Sequence, residues 1–352
     1  MQRRLILSFR KPAFWGPLCL ALSLLFASCQ TDPMLPTGYY PYDKAEIESV
    51  WQYLKAFSLY QDRVPEDPFT FKRPEEMFDS IADYFNGTLY TCYYEDNDIG
   101  TYQAVLERYS GTDIVSFDLL TEKTGILKIT TFHRGDVYKQ FLNCITKIPA
   151  SCENLIVDLR NNGGGYITEA VSVIEAFLRK GTAFIMATER NLKYGPEAAT
   201  IRKFWYTGGE KHPSLERIKN LIVWMDEHTA SASEILAVAL KDCDSAILVG
   251  SRSSGKGIGQ VILQRNNRRP LQITYLHLRG KSTGEYHEIG LTPDVEINGS
   301  SESEKLTAVV NLVEPMYTVN IKITPSLSFQ KTATPACFKV IHEDSLDLDS
   351  DH

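Results

Sequence analysis

Between residues 125 and 250 the chain alternates short apolar runs with amphipathic segments, and this restricts its fold more than any other feature. Gly125–Phe132 alternates as a strand does, and helical spacing follows through Val137, Phe141 and Ile145. Leu155–Leu159 is a largely apolar strand run, and Ile167–Leu178 is helical. Ala183–Ala187 and Leu221–Met225 are further strands; a helix through Ile235, Leu236 and Leu240 precedes the strand Ala246–Val249. Strands alternating with helices specify an α/β domain with a substantially parallel sheet. Beyond it, Val261–Leu263 and Leu271–Leu278 flank the polar stretch Arg265–Arg269, the pattern of a hairpin.

The N-terminal third is organised differently. Arg3, Arg4, Arg10 and Lys11 precede a leucine-rich stretch, Ala13–Ala27, too short to span a bilayer as a helix, so residues 1–28 read as a lipoprotein signal peptide. It ends in Leu25-Phe26-Ala27-Ser28-Cys29, which resembles the lipobox of bacterial lipoproteins, so Cys29 is expected to carry lipid. The expected location is the cell envelope, on a bacterial membrane, the outer membrane being favoured, with the protein facing periplasm or surface. Residues 29–43 are proline-rich and read as a tether. Residues 44–112 form a small helical and mixed region. Ile47, Val50, Trp51, Leu54 and Phe57 have helical spacing, and Pro74-Glu75-Glu76 opens a second helix. The core is expected over 113–312, followed by a C-terminal extension, 313–352, that ends in an acidic tail.

Net charge is −7, and the four cationic residues of the first segment leave the rest near −11. An acidic chain without a basic stripe is a poor nucleic-acid binder. Cys92, Cys144, Cys152, Cys243 and Cys337 are irregularly spaced, with no C-x-x-C pair, so no zinc site is indicated. Cys144 and Cys152 are near in sequence, but their pairing is not favoured.

Three segments carry residues suited to chemistry. Asp158-Leu-Arg-Asn-Asn-Gly-Gly-Gly-Tyr166 lies between a strand and a helix. Its glycines let backbone N–H groups approach an anion, although a plain βα turn has the same look. His228-Thr-Ala-Ser-Ala-Ser-Glu-Ile235 also joins strand to helix. Ser231-x-x-Glu234 reads as a capping box, or else Ser231 is a nucleophile on a strand-to-helix turn. Gly250-Ser-Arg-Ser-Ser-Gly-Lys256-Gly-Ile-Gly-Gln260 nearly spells a P-loop, but Gly257 replaces the magnesium-binding Ser/Thr and a strand follows where a helix is needed. Together the segments supply a serine, a lysine that burial could keep neutral, and oxyanion donors: the Ser-Lys variant of triad logic.

Asp158–Gly165, Thr229–Ile235, Gly255-Lys-Gly-x-x-Gln260 and Gly290-Leu-Thr-Pro-Asp294 resemble, in order and spacing, the signature segments of C-terminal-processing (tail-specific) serine peptidases of the S41 type. The resemblance covers roughly residues 115–297. It implies a crotonase/ClpP-like α/β sandwich, with Ser231 as nucleophile, Lys256 as general base and Gln260 as its orienting partner. Gly165 or Gly164, with Ala232, would form the oxyanion hole. The substrate would be a polypeptide, and neither metal nor organic cofactor is required. Tail-specific members carry a PDZ domain before the core, and residues 44–112 show no recognisable carboxylate-binding loop of that kind. The alternative is a non-catalytic peptide- or ligand-binding lipoprotein on the same fold. His228 stands too near Ser231 to serve a triad, and His133, His277 and His287 lack metal-ligand spacing.

Overall fold

The computed structural model describes residues 44–81, 84–85, 88–93, 113–133, 135–190, 200–265, 268–315 and 336–342. The expected signal, Cys29, the tether and the acidic tail lie outside the described residues. Two helices open the described chain, α1 (Lys44–Phe57) and α2 (Pro74–Ile81). Short strands follow: β1 (Tyr84–Phe85), β2 (Thr88–Leu89) and β3 (Cys92–Tyr93).

The first main sheet comprises β4 (Val115–Leu119), β5 (Thr124–Ile129), β6 (Asn154–Asp158), β10 (Asn220–Met225), β11 (Ile247–Gly250) and β14 (Val295–Glu296). Their order is β14-β11-β10-β6-β5-β4, parallel except for the β4–β5 hairpin. The strands β5, β6 and β10 are buried along nearly their whole length, which is why they read as continuous apolar runs.

The second sheet takes β7 (Gly164–Tyr166), β8 (Ala183–Arg190), β9 (Thr200–Tyr206), β12 (Ile258–Arg265), β13 (Arg268–Gly280) and β15 (Ala336–His342). Its order is β7-β15-β12-β13-β8-β9, with β3 also paired to β13. The expected hairpin is the antiparallel β12–β13 pair. The strands β12, β13, β8 and β9 are antiparallel in series, so the expected parallel character belongs to the first sheet. Part of the expected C-terminal extension is thus a strand, β15, inserted between β7 and β12 and parallel to both.

Helices α3 (Val137–Ile145), α4 (Ile167–Phe177) and α6 (Ala232–Asp244) contribute to one continuous core with residues of both sheets; a short turn of helix, α5 (Pro213–Glu216), precedes β10. The core joins Phe141, Ile174 and Leu236 of the helices to Val157 and Val223 of one sheet and Val261 and Ile273 of the other. The other face of the first sheet, with Ile126, Ile156, Ile222 and Trp224, is covered by Leu306, Val309 and Val310 of α7 (Glu302–Asn311). The mixed α/β architecture expected from the sequence is the one observed. Among the described residues no helix is long and apolar enough to cross a membrane, and Cys144 and Cys152 are both free thiols.

Candidate active site

Three chemistry-bearing segments leave the carboxyl ends of β6, β10 and β11, which lie side by side. In sheets of this kind the carboxyl ends of parallel strands are where sites gather. The glycine turn after β6 is fixed from both flanks. Asp158 accepts the Arg160 guanidinium at 2.7 Å, and that guanidinium lies 3.3 Å from the centre of the Trp224 ring. Asn161 adopts φ 59° and donates its N–H to both Asp226 oxygens at 3.0 Å. Asn162 donates through Nδ2 to the Ile129 carbonyl at 2.9 Å, and its Oδ1 accepts Gly164 N–H at 3.0 Å.

The serine turn is tied to this one by direct bonds. Ala230 N–H donates to the Asn162 carbonyl at 3.1 Å, and Thr229 Oγ1 donates to the Leu159 carbonyl at 2.9 Å. Asp226 also accepts His228 N–H at 3.1 Å, so one carboxylate braces both turns. Gly164 touches the serine directly. A Cβ at Gly164, whose φ is +95°, would stand 2.8 Å from Ser231 Cβ and 2.9 Å from Ala232 N. Only glycine permits that approach.

The Ser231 turn has features of a helix cap and features that a cap does not need. Ser231 and Glu234 form a capping box, in which Glu234 Oε2 accepts Ser231 N–H at 2.8 Å. Ser231 Oγ, however, is buried and has no hydrogen-bond partner. Its backbone sits at φ 60°, ψ −118°, a sparsely populated region that non-glycine residues occupy at a cost. The next residue, Ala232, opens α6, where a helix leaves backbone N–H groups without partners inside the helix.

The lysine loop meets the serine turn through Glu234. Its Oε1 accepts Ser253 Oγ–H at 2.5 Å and Gly255 N–H at 2.6 Å; its Oε2 accepts Lys256 N–H at 2.8 Å besides Ser231 N–H. The backbone nitrogens of Ser231 and Lys256 each lie 2.8 Å from one oxygen, so they are no further apart than twice that distance. Burial pushes the Glu234 carboxyl up from its ordinary range, and the four surrounding donors draw it back. Ser254 N–H donates to the Thr229 carbonyl at 2.9 Å, a further tie between the loops.

Lys256 is 1 % exposed. Its Nζ donates to Gln260 Oε1 at 3.0 Å, and Gln260 Nε2 donates to Thr274 Oγ1 at 3.1 Å. The residues after Lys256 are strand β12, so the near-P-loop lacks the helix that phosphate binding requires. Ser231, Lys256, Gln260, Gly164, Gly165 and Ala232 are therefore all found around one place.

Other residues join them that sequence reasoning passed over. His133, just beyond β5, is 3 % exposed, with Nδ1 2.9 Å from Thr131 Oγ1. Its backbone packs against Gly165. Burial pushes its imidazole down to about 4. Its position at a strand's carboxyl end was the available signal. The reach of Asp226 to Asn161 and of Glu234 to Ser253, Gly255 and Lys256 had no local signal, since those partners are distant in sequence. His228 is exposed and beside Glu227. Among the described residues no group of three or more His, Cys, Asp or Glu side chains could hold a metal ion.

Fold and site together define an α/β core carrying a buried, unbonded serine at a strand-to-helix turn beside a buried lysine. Comparison with known proteins gives that core its family. Residues 123–297 match the model of peptidase family S41. It is 29% identical over 179 residues to the chloroplastic C-terminal processing peptidase of Tetradesmus obliquus, covering 50% of this chain and 36% of that one. It is 34% identical over 177 residues to the carboxy-terminal-processing protease of Bartonella bacilliformis, covering 49% and 38%. The matched stretch thus spans little more than a third of these relatives' length. The fold is shared with the photosystem II D1 C-terminal processing protease, at TM-score 0.58 and 15% identity, over 81% of this chain and 99% of that chain. A lipoprotein from Streptococcus agalactiae superposes at TM-score 0.52 and 15% identity, over 80% and 100%. The resemblance read from the sequence segments is borne out.

Proposed function

We propose that the protein is a serine endopeptidase acting on polypeptides, with Ser231 as nucleophile and Lys256 as general base. The observation that carries this reading is the buried Ser231 hydroxyl, without a hydrogen-bond partner, on a strained strand-to-helix turn beside the buried Lys256. A hydroxyl is a poor nucleophile until a base takes its proton, and an amine cut off from water is the form of lysine able to take it. Ser231 Oγ attacks the peptide carbonyl carbon as its proton passes to Lys256 Nζ. Gln260 holds that amine. The developing oxyanion receives the N–H of Ala232 and one from the glycine turn. Gly164 N–H is engaged by Asn162 in the resting state, so Gly165 is the favoured donor and Gly164 gives the serine its clearance. The Lys256 ammonium returns the proton to the leaving amine, and a water activated by Lys256 then hydrolyses the acyl-enzyme. His133, held neutral, lines the site without exchanging the reacting proton.

The reading also places the protein on a bacterial membrane, facing periplasm or surface, through lipid on Cys29. The deciding experiment is cleavage of casein by the purified protein. Wild type is expected to cleave, and Ser231→Ala and Lys256→Met are expected to lose cleavage. Undiminished cleavage by Lys256→Met would overturn the assignment. Tight peptide capture by Ser231→Ala at wild-type affinity, without turnover by wild type, would mark a binding protein instead.

A further inference from the structure

The family match begins at residue 123, yet the wall behind Lys256 is built by residues that precede it. Tyr90 is 5 % exposed, and its ring centre lies 4.2 Å from Lys256 Nζ. The ring also packs on Ile258, two residues past the lysine. Its neighbour Thr91 is fully buried, and Thr91 Oγ1 accepts Thr274 N–H at 3.0 Å. Thr274 is the residue whose hydroxyl takes the Gln260 amide. Leu59 N–H donates to the Thr274 carbonyl at 2.8 Å, so the N-terminal region grips Thr274 at both backbone groups.

This has a chemical consequence for the lysine. With Gln260 Nε2 committed to Thr274, its Oε1 is the end turned to Lys256, and an amide oxygen only accepts. The amine must therefore spend a hydrogen there, and in its neutral form it keeps its lone pair for another donor. Tyr90 covers the amine with an apolar face and excludes the water that would favour the ammonium.

The segment is held firmly where it does this. Tyr90 carbonyl accepts Gln272 Nε2 at 2.7 Å, and β3 pairs with Leu271 and Gln272 of β13. Tyr93 OH donates to Glu46 at 2.7 Å, Glu46 pairs with Arg265 at 2.6 Å, and Arg269 pairs with Glu75 at 2.6 Å. These contacts fasten α1, α2 and β3 to the β12–β13 hairpin that carries Gln260 and Thr274.

We propose that Tyr90 and Thr91 are positioning residues for the catalytic lysine, Tyr90 by roofing its amine and Thr91 by fixing the Thr274–Gln260 relay. The proposal rests on Lys256 being the base, so its test includes a readout that needs no catalysis. The native full-length protein is treated with acetic anhydride, and Lys256 acetylation is read by peptide mass spectrometry relative to the exposed Lys139. Tyr90→Ala is expected to raise Lys256 labelling at least tenfold, and Tyr90→Phe to stay within twofold of wild type. Thr91→Val is expected to raise labelling at least threefold, with Thr91→Ser restoring protection; this pair serves should Tyr90→Ala not fold.

In casein-derived peptide assays, Tyr90→Ala and Thr91→Val are expected to lower kcat at least tenfold with KM within twofold. Wild-type labelling in folded Tyr90→Ala and Thr91→Val would overturn the proposal. Raised labelling with no cleavage by any form, wild type included, would uphold the roof and sink the peptidase reading.

Discussion

Replacing Glu234 with Gln removes one charge and changes almost no volume, so it isolates the carboxylate's role. Glu234 accepts four hydrogen bonds, from Ser231 N–H, Ser253 Oγ–H, Gly255 N–H and Lys256 N–H, while fully buried. An amide accepts only at its oxygen, and its NH2 must then face two of those donors. The less costly orientation turns Nε2 toward Ser253, whose hydroxyl can reverse, and leaves Gly255 N–H without an acceptor. Losing one or two charge-assisted bonds at about 1.5–3 kcal/mol each sets the expected destabilisation near 3 kcal/mol. That is a large share of the roughly 5–15 kcal/mol that holds a domain folded. The kinetic effect should exceed the stability effect, because the same carboxylate sets the Ser231 backbone against the Lys256 backbone. Displacement of either by about 1 Å costs on the order of a hundredfold in rate. The assay is thermal unfolding beside kcat on a peptide substrate, both at a temperature where the variant remains folded. A Glu234→Gln protein with wild-type thermal transition and kcat within twofold of wild type would refute the claim that this carboxylate joins the two loops.

Three further outcomes follow from the same geometry. His133 falls from its ordinary 6.5 to about 4 in the folded protein. The unfolded chain therefore binds that proton first, and the stability from burying a neutral imidazole is full above pH 6.5 and lost as pH falls toward 4. The stability difference between wild type and His133→Asn, by denaturant titration, should fall by about 3 kcal/mol from pH 7 to pH 4; a flat difference would contradict it. Gly164→Ala puts a methyl within 2.7–2.9 Å of Ala230 O, Ser231 Cβ and Ala232 N at a φ of +95°. It should lower kcat at least a hundredfold and stability by about 1–3 kcal/mol, as read by cleavage and thermal unfolding. Cys29→Ala should abolish lipid attachment, seen as the loss of acyl mass in intact-protein spectra and release from the membrane fraction.

The parallel half of the fold was legible because its strands are buried on both faces and their apolar runs are continuous. The strands β5, β6, β10 and β11 and helices α3, α4 and α6 all lie where the alternation of patterns put them. Other elements were hidden for physical reasons. The strand β7 is three residues of a glycine turn and has no pattern of its own. Only Leu306, Val309 and Val310 of α7 are buried, too narrow an apolar stripe to stand out. The site divides the same way. Ser231, Lys256, Gln260 and the glycines announced themselves by residue type at fixed spacing. Folding alone brings Asp226 to Asn161, His133 to Gly165 and Thr274 to Gln260, and Glu234 looked like a cap because one of its four bonds is a capping bond.

The matched segment alone does not build the site. Its lysine strand, β12, and its glycine-turn strand, β7, are not neighbours; β15, which follows the match, lies between them and pairs with both. Residues that precede the match close the lysine's pocket and hold the relay that orients it. The outer face of the parallel sheet is covered by α7, also past the match, and Glu302 of that helix reaches Arg160 at 2.8 Å, beneath the glycine turn. Each addition satisfies what the segment would leave open: unpaired strand edges, an amine facing water, an apolar sheet face. In this chain the parts outside the family's shared stretch therefore help build the surroundings of Ser231 and Lys256, and under the proposed mechanism a lysine acting as base depends on whatever excludes water from it.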